Sequence, residues 1–403
     1  MRVAGIIAEY NPLHGGHVHL LEEVRRLLGA DTAIVCVMSG DFVQRGDFAL
    51  VRRQARALAA AQSGADLVLE LPLTWAAAPA ERFADGGVRT LLATGLVDTL
   101  AFGSECGDGT PLRRLAEALL KAEFPVRLRR ELERGDSFAA ARQRAVAGLV
   151  SPGEAALLKN PNDILGVEYC KSLLRLKASV DVLAVPRLGD GHDVKTPSGG
   201  RNASAAAIRS LLREGRRAEA LDRMAPAMAA VYEAEEAAGR APVFAENCQR
   251  AVLARLRLLD AADFAALDEG REGLYRRLYG ASRTASSLEE LLAAAKTKRY
   301  PYARLRRMAL WAYLGLVPGA FPAGVPYLRP LAANGTGRLL LARMRRTASV
   351  PVLTKPADVR RLSGEAQALF ALEARAADLY ALAYPELTAA RGGSLWRDGP
   401  CIL

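Results

Sequence analysis

The stretch Val3–Leu20 holds three of the chain's four histidines, His14, His17 and His19, and it places two imidazoles on either side of a Gly15-Gly16 pair. Imidazole N–H groups and bare glycine amides gathered at one turn are donors for an anion. They are the groups a reaction needs where charge builds on phosphoryl oxygens and on departing pyrophosphate. Zinc is the competing use of the same side chains, but no cysteine or acidic cluster follows at ligand spacing. A plain capping role is the other alternative; the clustering of histidines in one segment argues against it.

Such a turn works only if the flanking elements aim it. Val3 to Ala8 is an apolar, branched run of strand length, Tyr10-Asn11-Pro12 interrupts it, and Val18 to Leu28 takes up helical periodicity. Strand, turn and helix in that order point a helix N-terminus, with its partial positive charge, at the histidine turn. Thr32 to Met38 reads as a second strand, followed by Ser39-Gly40-Asp41-Phe42-Val43-Gln44-Arg45-Gly46, a polar loop at a strand's carboxyl end. Ser39, Gln44 and Arg45 are therefore candidates to meet a substrate. A helix near 52–63, a strand Ala65–Leu71 closed by Pro72, a helix near 80–94 and a strand Val97–Phe102 ending in Gly103-Ser104-Glu105 come next. The charged helical stretch at about 110–160 reads as an elaboration, the helix Asp163–Leu176 returns, and Val180–Val185 closed by Pro186-Arg187 is a fifth strand. Strands interleaved with helices predict an α/β, Rossmann-like, doubly wound parallel sheet of about five strands, with all strand ends on one side.

Gly189 to Asn202 is a loop, with Gly189-Asp190-Gly191-His192-Asp193 and Pro197-Ser198-Gly199-Gly200 in it. Ser204 then stands where it would cap an alanine-rich helix that carries Arg209. From about Arg213 strand signals vanish and helical spacing runs to near Ala390, which predicts a catalytic domain over 1–214 and an all-helical, basic domain over 215–403. Within the second, Lys296, Lys298, Arg299, Arg304, Arg306 and Arg307 run without an acidic residue, interleaved with Tyr300 and Tyr302; Arg338, Arg343, Arg345 and Arg346 form another basic group. Cations for phosphates beside aromatics for unpaired bases suit a single-stranded nucleic-acid loop, and tyrosines at helical spacing suit a core equally well. Ser349 to Pro356 is extended, as a strand or a crossing loop, and the tail Arg391–Leu403 packs through Trp396 or frays.

The 403 residues, 51% hydrophobic, allow a large core, and the net charge of +11 with a pI near 9.6 fits a polyanionic partner as well as an arginine-rich solvated surface. Five scattered cysteines without a CxxC pattern predict reduced thiols. No charged leader and no membrane-length apolar run are present, so a cytoplasmic protein is expected.

His14-Gly15-Gly16-His17 after a strand and an Asn-Pro turn resembles the signature of the nucleotidylyltransferase superfamily. Glu9 to His17, Met38 to Gly46, Ala65 to Pro72, Phe102 to Glu105, Asn160 to Tyr169 and Lys298 to Arg304, taken in order, resemble more narrowly the bacterial tRNA(Met) cytidine acetate ligase family. That resemblance covers nearly the full length and thins after about Arg346. It implies an enzyme that activates acetate with ATP, accompanied by Mg²⁺ and without a tightly bound metal, and passes the acetyl group to N4 of the wobble cytidine of elongator tRNA(Met). It implies that His14 and His17 serve the phosphates. Carried over by motif, the ATP contacts fall on Ile7, Ala8, Glu9, Tyr10, Asn11, Pro12, Leu13, His14, Gly15, Gly16, His17, Val18, His19 and Leu20, and on Gly103, Asn162 and Arg187. Ser204 and Arg209 match the superfamily's late phosphate-clasping motif, from which Ala206 departs by lacking a hydroxyl. The implied RNA contacts are Lys296, Lys298, Arg299, Tyr300 and Arg304; no membrane or protein partner is implied. The superfamily signature alone equally permits an enzyme that adenylates a small phosphate metabolite, or a non-catalytic RNA-binding protein with a nucleotide-sensing fold.

Overall fold

The computed structural model describes residues 1–135, 137–187, 203–270, 273–317 and 322–403. Nine strands occur among them: β1 (Val3–Ala8), β2 (Ala33–Ser39), β3 (Phe42–Val43), β4 (Asp47–Phe48), β5 (Leu67–Leu71), β6 (Thr99–Ser104), β7 (Asp181–Pro186), β8 (Pro330–Ala333) and β9 (Cys401–Ile402). Seven of them form one sheet in the order β7-β6-β1-β2-β5-β8-β9, and β3 and β4 form a separate hairpin. The central strands are buried on both faces, as a parallel sheet covered by helices requires. Alternation along β2 sends Ile34, Cys36 and Met38 into one core and Val35 and Val37 into the other.

From β1 the chain builds outward in two directions, through β2 and β5 on one side and through β6 and β7 on the other. The topological switch point is therefore the boundary between β1 and β6, the place where open α/β sheets take their ligands. The register shows how that boundary opens. β1 pairs with β2 as far as Ala8↔Met38 and β6 with β7 as far as Ser104↔Pro186, yet β1 and β6 pair only from Ala4↔Thr99 to Ile6↔Ala101. Past that point the two strands part, leaving a crevice at their carboxyl ends.

The Rossmann-like fold class and its five expected strands are present, and helices Gly109–Leu120, Phe124–Glu133, Phe138–Ala147 and Pro152–Ala156 make up the elaboration that precedes helix Pro161–Arg175. The second half departs from an all-helical reading. β8 joins β5 antiparallel, and β9 pairs parallel with β8, so the tail does not fray; it packs through Trp396, whose half-exposed ring meets Phe370, and through the strand that follows. Four apolar residues between Arg329 and Asn334 are too few to show a period, and their pairing partner lies far back in the chain. Val352 bridges Leu328 in parallel, which accounts for the extended character of 349–356. No described helix is long and apolar enough to cross a membrane.

Two cores lie on the two faces of the sheet and a third fills the helical half. Phe42 and Phe48 of the β3–β4 hairpin belong to that third core, where Phe48 stacks on Tyr380 at 6.0 Å between ring centroids and the Tyr380 hydroxyl donates to the Ala49 carbonyl at 2.8 Å. The hairpin after β2 thus ties the sheet to the helices.

Candidate active site

The histidine turn begins where β1 ends. Tyr10 takes a left-handed conformation, φ +47°, and turns the chain; its buried ring supports His17 edge-on at 5.0 Å, and its hydroxyl reaches the Cys36 sulfur beneath. His14 caps helix Gly15–Leu28 reciprocally: its Nδ1 accepts from Gly16 N at 3.1 Å, while the His14 main-chain N–H donates to Nδ1 of His17 at 3.2 Å. The two rings lie 3.9 Å apart. Because both Nδ1 atoms accept, the proton of each neutral ring sits on Nε2, so both imidazoles act as donors through that atom. A side-chain cap is ordinarily Ser, Thr, Asp or Asn; a histidine in that role combines capping with a polarisable N–H.

Across the crevice, β6 ends in Gly103-Ser104 and β7 in Pro186 followed by Arg187. The Arg187 main-chain N–H donates to the Ser104 carbonyl at 3.1 Å, and a Cβ on Gly103 would stand 3.3 Å from Arg187 Cγ, so only glycine leaves that surface flat. Burial holds the Arg187 guanidinium below its ordinary pKa. Asn162 opens helix Pro161–Arg175 and donates through Nδ2 to Glu105 Oε1 at 2.7 Å. Asp163, fully buried, accepts from Ser104 Oγ and from Cys106 N, locking the end of β6 to that helix. Gly103, Asn162 and Arg187, scattered in sequence, stand together here.

Ser204 does cap helix Ala205–Arg213, accepting from Ala207 N at 3.2 Å. Arg209 is committed in part to the chain itself: one terminal nitrogen donates to the Asn11 carbonyl at 2.6 Å, which ties this helix to the histidine turn, and burial lowers its pKa. The loop motifs between Gly189 and Asn202 lie outside the described residues.

On the β2 side, Gln44 N donates to Glu9 Oε1 at 2.7 Å, coupling the hairpin turn to the end of β1. Burial pushes the Glu9 carboxyl up, against the pull of Arg209, Arg56 and Arg45. Of the three expected substrate-loop residues, Arg45 and Gln44 stand at the half-buried hairpin turn, whereas Ser39 is fully buried with a hydroxyl that has no hydrogen-bond partner among the described residues.

Arg56 is the residue sequence reading missed. Fully buried, its guanidinium donates to the carbonyls of Glu9, Ser39, Gly40 and Val51, pinning the ends of β1 and β2 in place of water. A second buried set lies beside it. Asp41 pairs with Arg53, Glu70 pairs with Arg329, and Glu373 accepts from Leu73 N at 2.9 Å and from the Tyr327 hydroxyl at 2.6 Å. Arg53 and Arg56 stand three apart in the alanine-rich first turn of helix Arg53–Gln62, and that spacing is the one local sign that both face inward.

The basic segment divides. Lys298, Arg299, Tyr302 and Arg306 are exposed, and Lys296 lies with its ammonium 5.5 Å from the centre of the Tyr302 ring. Tyr300, by contrast, is a core residue of the helical half, so its ring offers no face for a base, and Arg304 pairs with Glu269 at 3.3 Å. Arg307 is buried, pairs with Glu269 at 2.8 Å and reaches the Gln44 carbonyl. Of the exposed cations, Arg306 sits on helix Tyr302–Leu314, against which the β3–β4 hairpin packs, and Lys298 and Arg299 lie in the bend just before it. Among the described residues no group of three or more His, Cys, Asp or Glu side chains is placed to hold a metal ion.

A histidine-capped turn at the switch point of a doubly wound sheet defines a nucleotidyl transferase, and a family model described as HIGH Nucleotidyl Transferase matches residues 1–394. The tRNA(Met) cytidine acetate ligase of Acetivibrio thermocellus is 35% identical over 398 residues, with 95% of each chain covered. That of Thermotoga maritima is 36% identical over 365 residues, covering 88% of this chain and 87% of its own. The crystal structure of apo Thermotoga maritima TmcAL superposes with a TM-score of 0.95 at 32% identity, and the form bound with alpha-thio ATP with 0.93 at 33%; each covers 100% of both chains. The chain belongs to the tRNA(Met) cytidine acetate ligase family.

Proposed function

We propose that this chain joins acetate to ATP to give acetyl-adenylate and pyrophosphate, then transfers the acetyl group to N4 of the wobble cytidine of elongator tRNA(Met), leaving AMP. The observation that carries the reading is the crevice between β1 and β6, walled on one side by the donor turn of His14 and His17 and on the other by Gly103, Asn162 and Arg187. In the first step a carboxylate oxygen of acetate bonds to the α-phosphorus as the bond to pyrophosphate breaks. His14 and His17 hold the phosphates through Nε2–H, helix Gly15–Leu28 adds its N-terminus, and Ser204 and Arg209 close from the late helix. Mg²⁺ would accompany the triphosphate and offset its charge. In the second step the N4 amine attacks the acetyl carbonyl, the bond to AMP breaks and the nitrogen loses its proton.

Acetate approaches from the β2 side, where Gln44 and Arg45 adjoin Glu9, and the RNA lies over Lys296, Lys298, Arg299 and Arg306. The placement of those cations beside the hairpin favours an RNA acceptor over a small phosphate metabolite, which would need no such surface. Incubation with labelled acetate, ATP and total tRNA is the test. Label is expected in tRNA only when both acetate and ATP are present, and His17→Ala is expected to lower kcat by about 10²–10³. Pyrophosphate release indifferent to acetate, or a His17→Ala variant with full activity, would refute the reading.

A further inference from the structure

We propose that Glu105 reads the sugar of the nucleotide, accepting a hydrogen bond from a ribose 2′ or 3′ hydroxyl. The inference rests on the reading of the β1–β6 crevice as the ATP site and names a specificity-determining residue within it. Glu105 follows β6 directly and is exposed, yet its carboxylate is held by three donors. Asn162 Nδ2 at 2.7 Å and Asn162 N at 3.3 Å reach Oε1, and Asp163 N at 2.9 Å reaches Oε2. Those bonds set the group against the first turn of helix Pro161–Arg175. A carboxylate offers about four lone-pair positions, so one remains on Oε2.

Capping gives the charge one use, at the N-terminus of helix Pro161–Arg175, and Arg187 lies near enough to feel it. Asp163 already ties the β6 loop to this helix from within the core, through Ser104 Oγ and Cys106 N, and Asn160 spends its side chain on Asp163 at 2.8 Å rather than on a cap. Glu105 adds an exposed anion directly after the carboxyl end of β6, the edge read here as the ATP site, and beside phosphates it would only repel. It is compatible with the part of a nucleotide that carries no charge and offers donors. The flat surface left by Gly103 beside the Arg187 stem suits the base, by guanidinium stacking, and the histidine turn suits the phosphates. Glu105 and Asn162 are the polar groups left for the sugar between them.

Calorimetric binding of ATP, 2′-deoxy-ATP and 3′-deoxy-ATP to wild type, Glu105→Gln and Glu105→Ala tests this, with turnover and a thermal melt measured on each. Wild type is expected to bind one of the deoxy nucleotides about tenfold or more weaker than ATP, as a lost hydrogen bond to a charged group implies. Glu105→Ala should remove the preference of ATP over that deoxy nucleotide, bringing the two affinities to one level even where release of Asn162 lowers both together. KM for ATP should rise with kcat within about threefold, since ground and transition states share the contact. Glu105→Gln, which keeps one carbonyl acceptor, should fall between. A wild type that does not discriminate, or a Glu105 variant that keeps the wild-type ratio, overturns the assignment. A wild type that binds no adenine nucleotide at all removes the ATP reading itself, a distinct outcome.

Discussion

Each imidazole of the pair has one nitrogen occupied by the turn and the other set as a donor, so the two histidines are held by the backbone they cap. Arg56 does the same for the strand ends. A buried guanidinium without a bidentate carboxylate partner is unusual, and burial indeed pulls its pKa below the ordinary arginine value. What holds it is four main-chain carbonyls at the tips of β1 and β2 and the start of the following helix. Arg56→Met would leave those acceptors buried without donors, at about 1–3 kcal/mol for each one that cannot recover a partner. The expected outcome is a fall in the urea midpoint equivalent to at least about 3 kcal/mol, together with weaker ATP binding, because Glu9 and Gly40 shift with it. A variant as stable as wild type would show that water enters and replaces the guanidinium.

Among the elements, the β3–β4 hairpin holds the wall proposed to receive acetate against the helical core. Its rings are buried in the helical core, its turn is bonded to Glu9, and Gly46 rests on the helix Tyr302–Leu314 with φ +75°. A Cβ there would stand 2.3 Å from Arg307 N, closer than any side chain can approach backbone. Gly46→Ala is therefore expected to lift the hairpin off the helix and cost more than about 2 kcal/mol, from the left-handed backbone and the overlap together. Acetyl transfer to tRNA should fall further than ATP binding, since the turn adjoins Glu9 while the adenosine side of the crevice lies beyond β1. Comparison of calorimetric ATP affinity with the acetylation rate checks this; equal losses would mean that the hairpin supports the whole crevice.

Over the whole molecule, the helical half completes the sheet, surrounds the rings of the β3–β4 hairpin with its core and carries the exposed cations. For tRNA affinity against salt, Lys298→Ala and Arg299→Ala should each reduce the slope of log K by about 1 if each side chain neutralises a phosphate. Tyr300→Ala should behave otherwise. Its ring is core, so truncation is expected to destabilise by about 3–5 kcal/mol while the salt slope of the folded protein stays at the wild-type value. Denaturant titration alongside filter binding separates the two. A Tyr300→Ala protein of normal stability with specific loss of RNA affinity would return that residue to the interface.

Much of the catalytic half was determined by local pattern. The strand of Val3–Ala8, the turn, the capped helix and the following strands each follow from apolar period and turn chemistry, and the histidine pair is legible because its spacing lies within one turn. What only the tertiary structure decided involves contacts between residues far apart in the chain. The parting of β1 from β6, the pinning of strand ends by Arg56, the joining of Pro330–Ala333 and Cys401–Ile402 to the sheet, and the sorting of Tyr300 to the core and Lys298 to the surface are of this kind. The physical reason is the same in each: periodicity tells which face of an element is apolar, whereas a buried charge or a short strand acquires its role from a partner the local sequence does not contain.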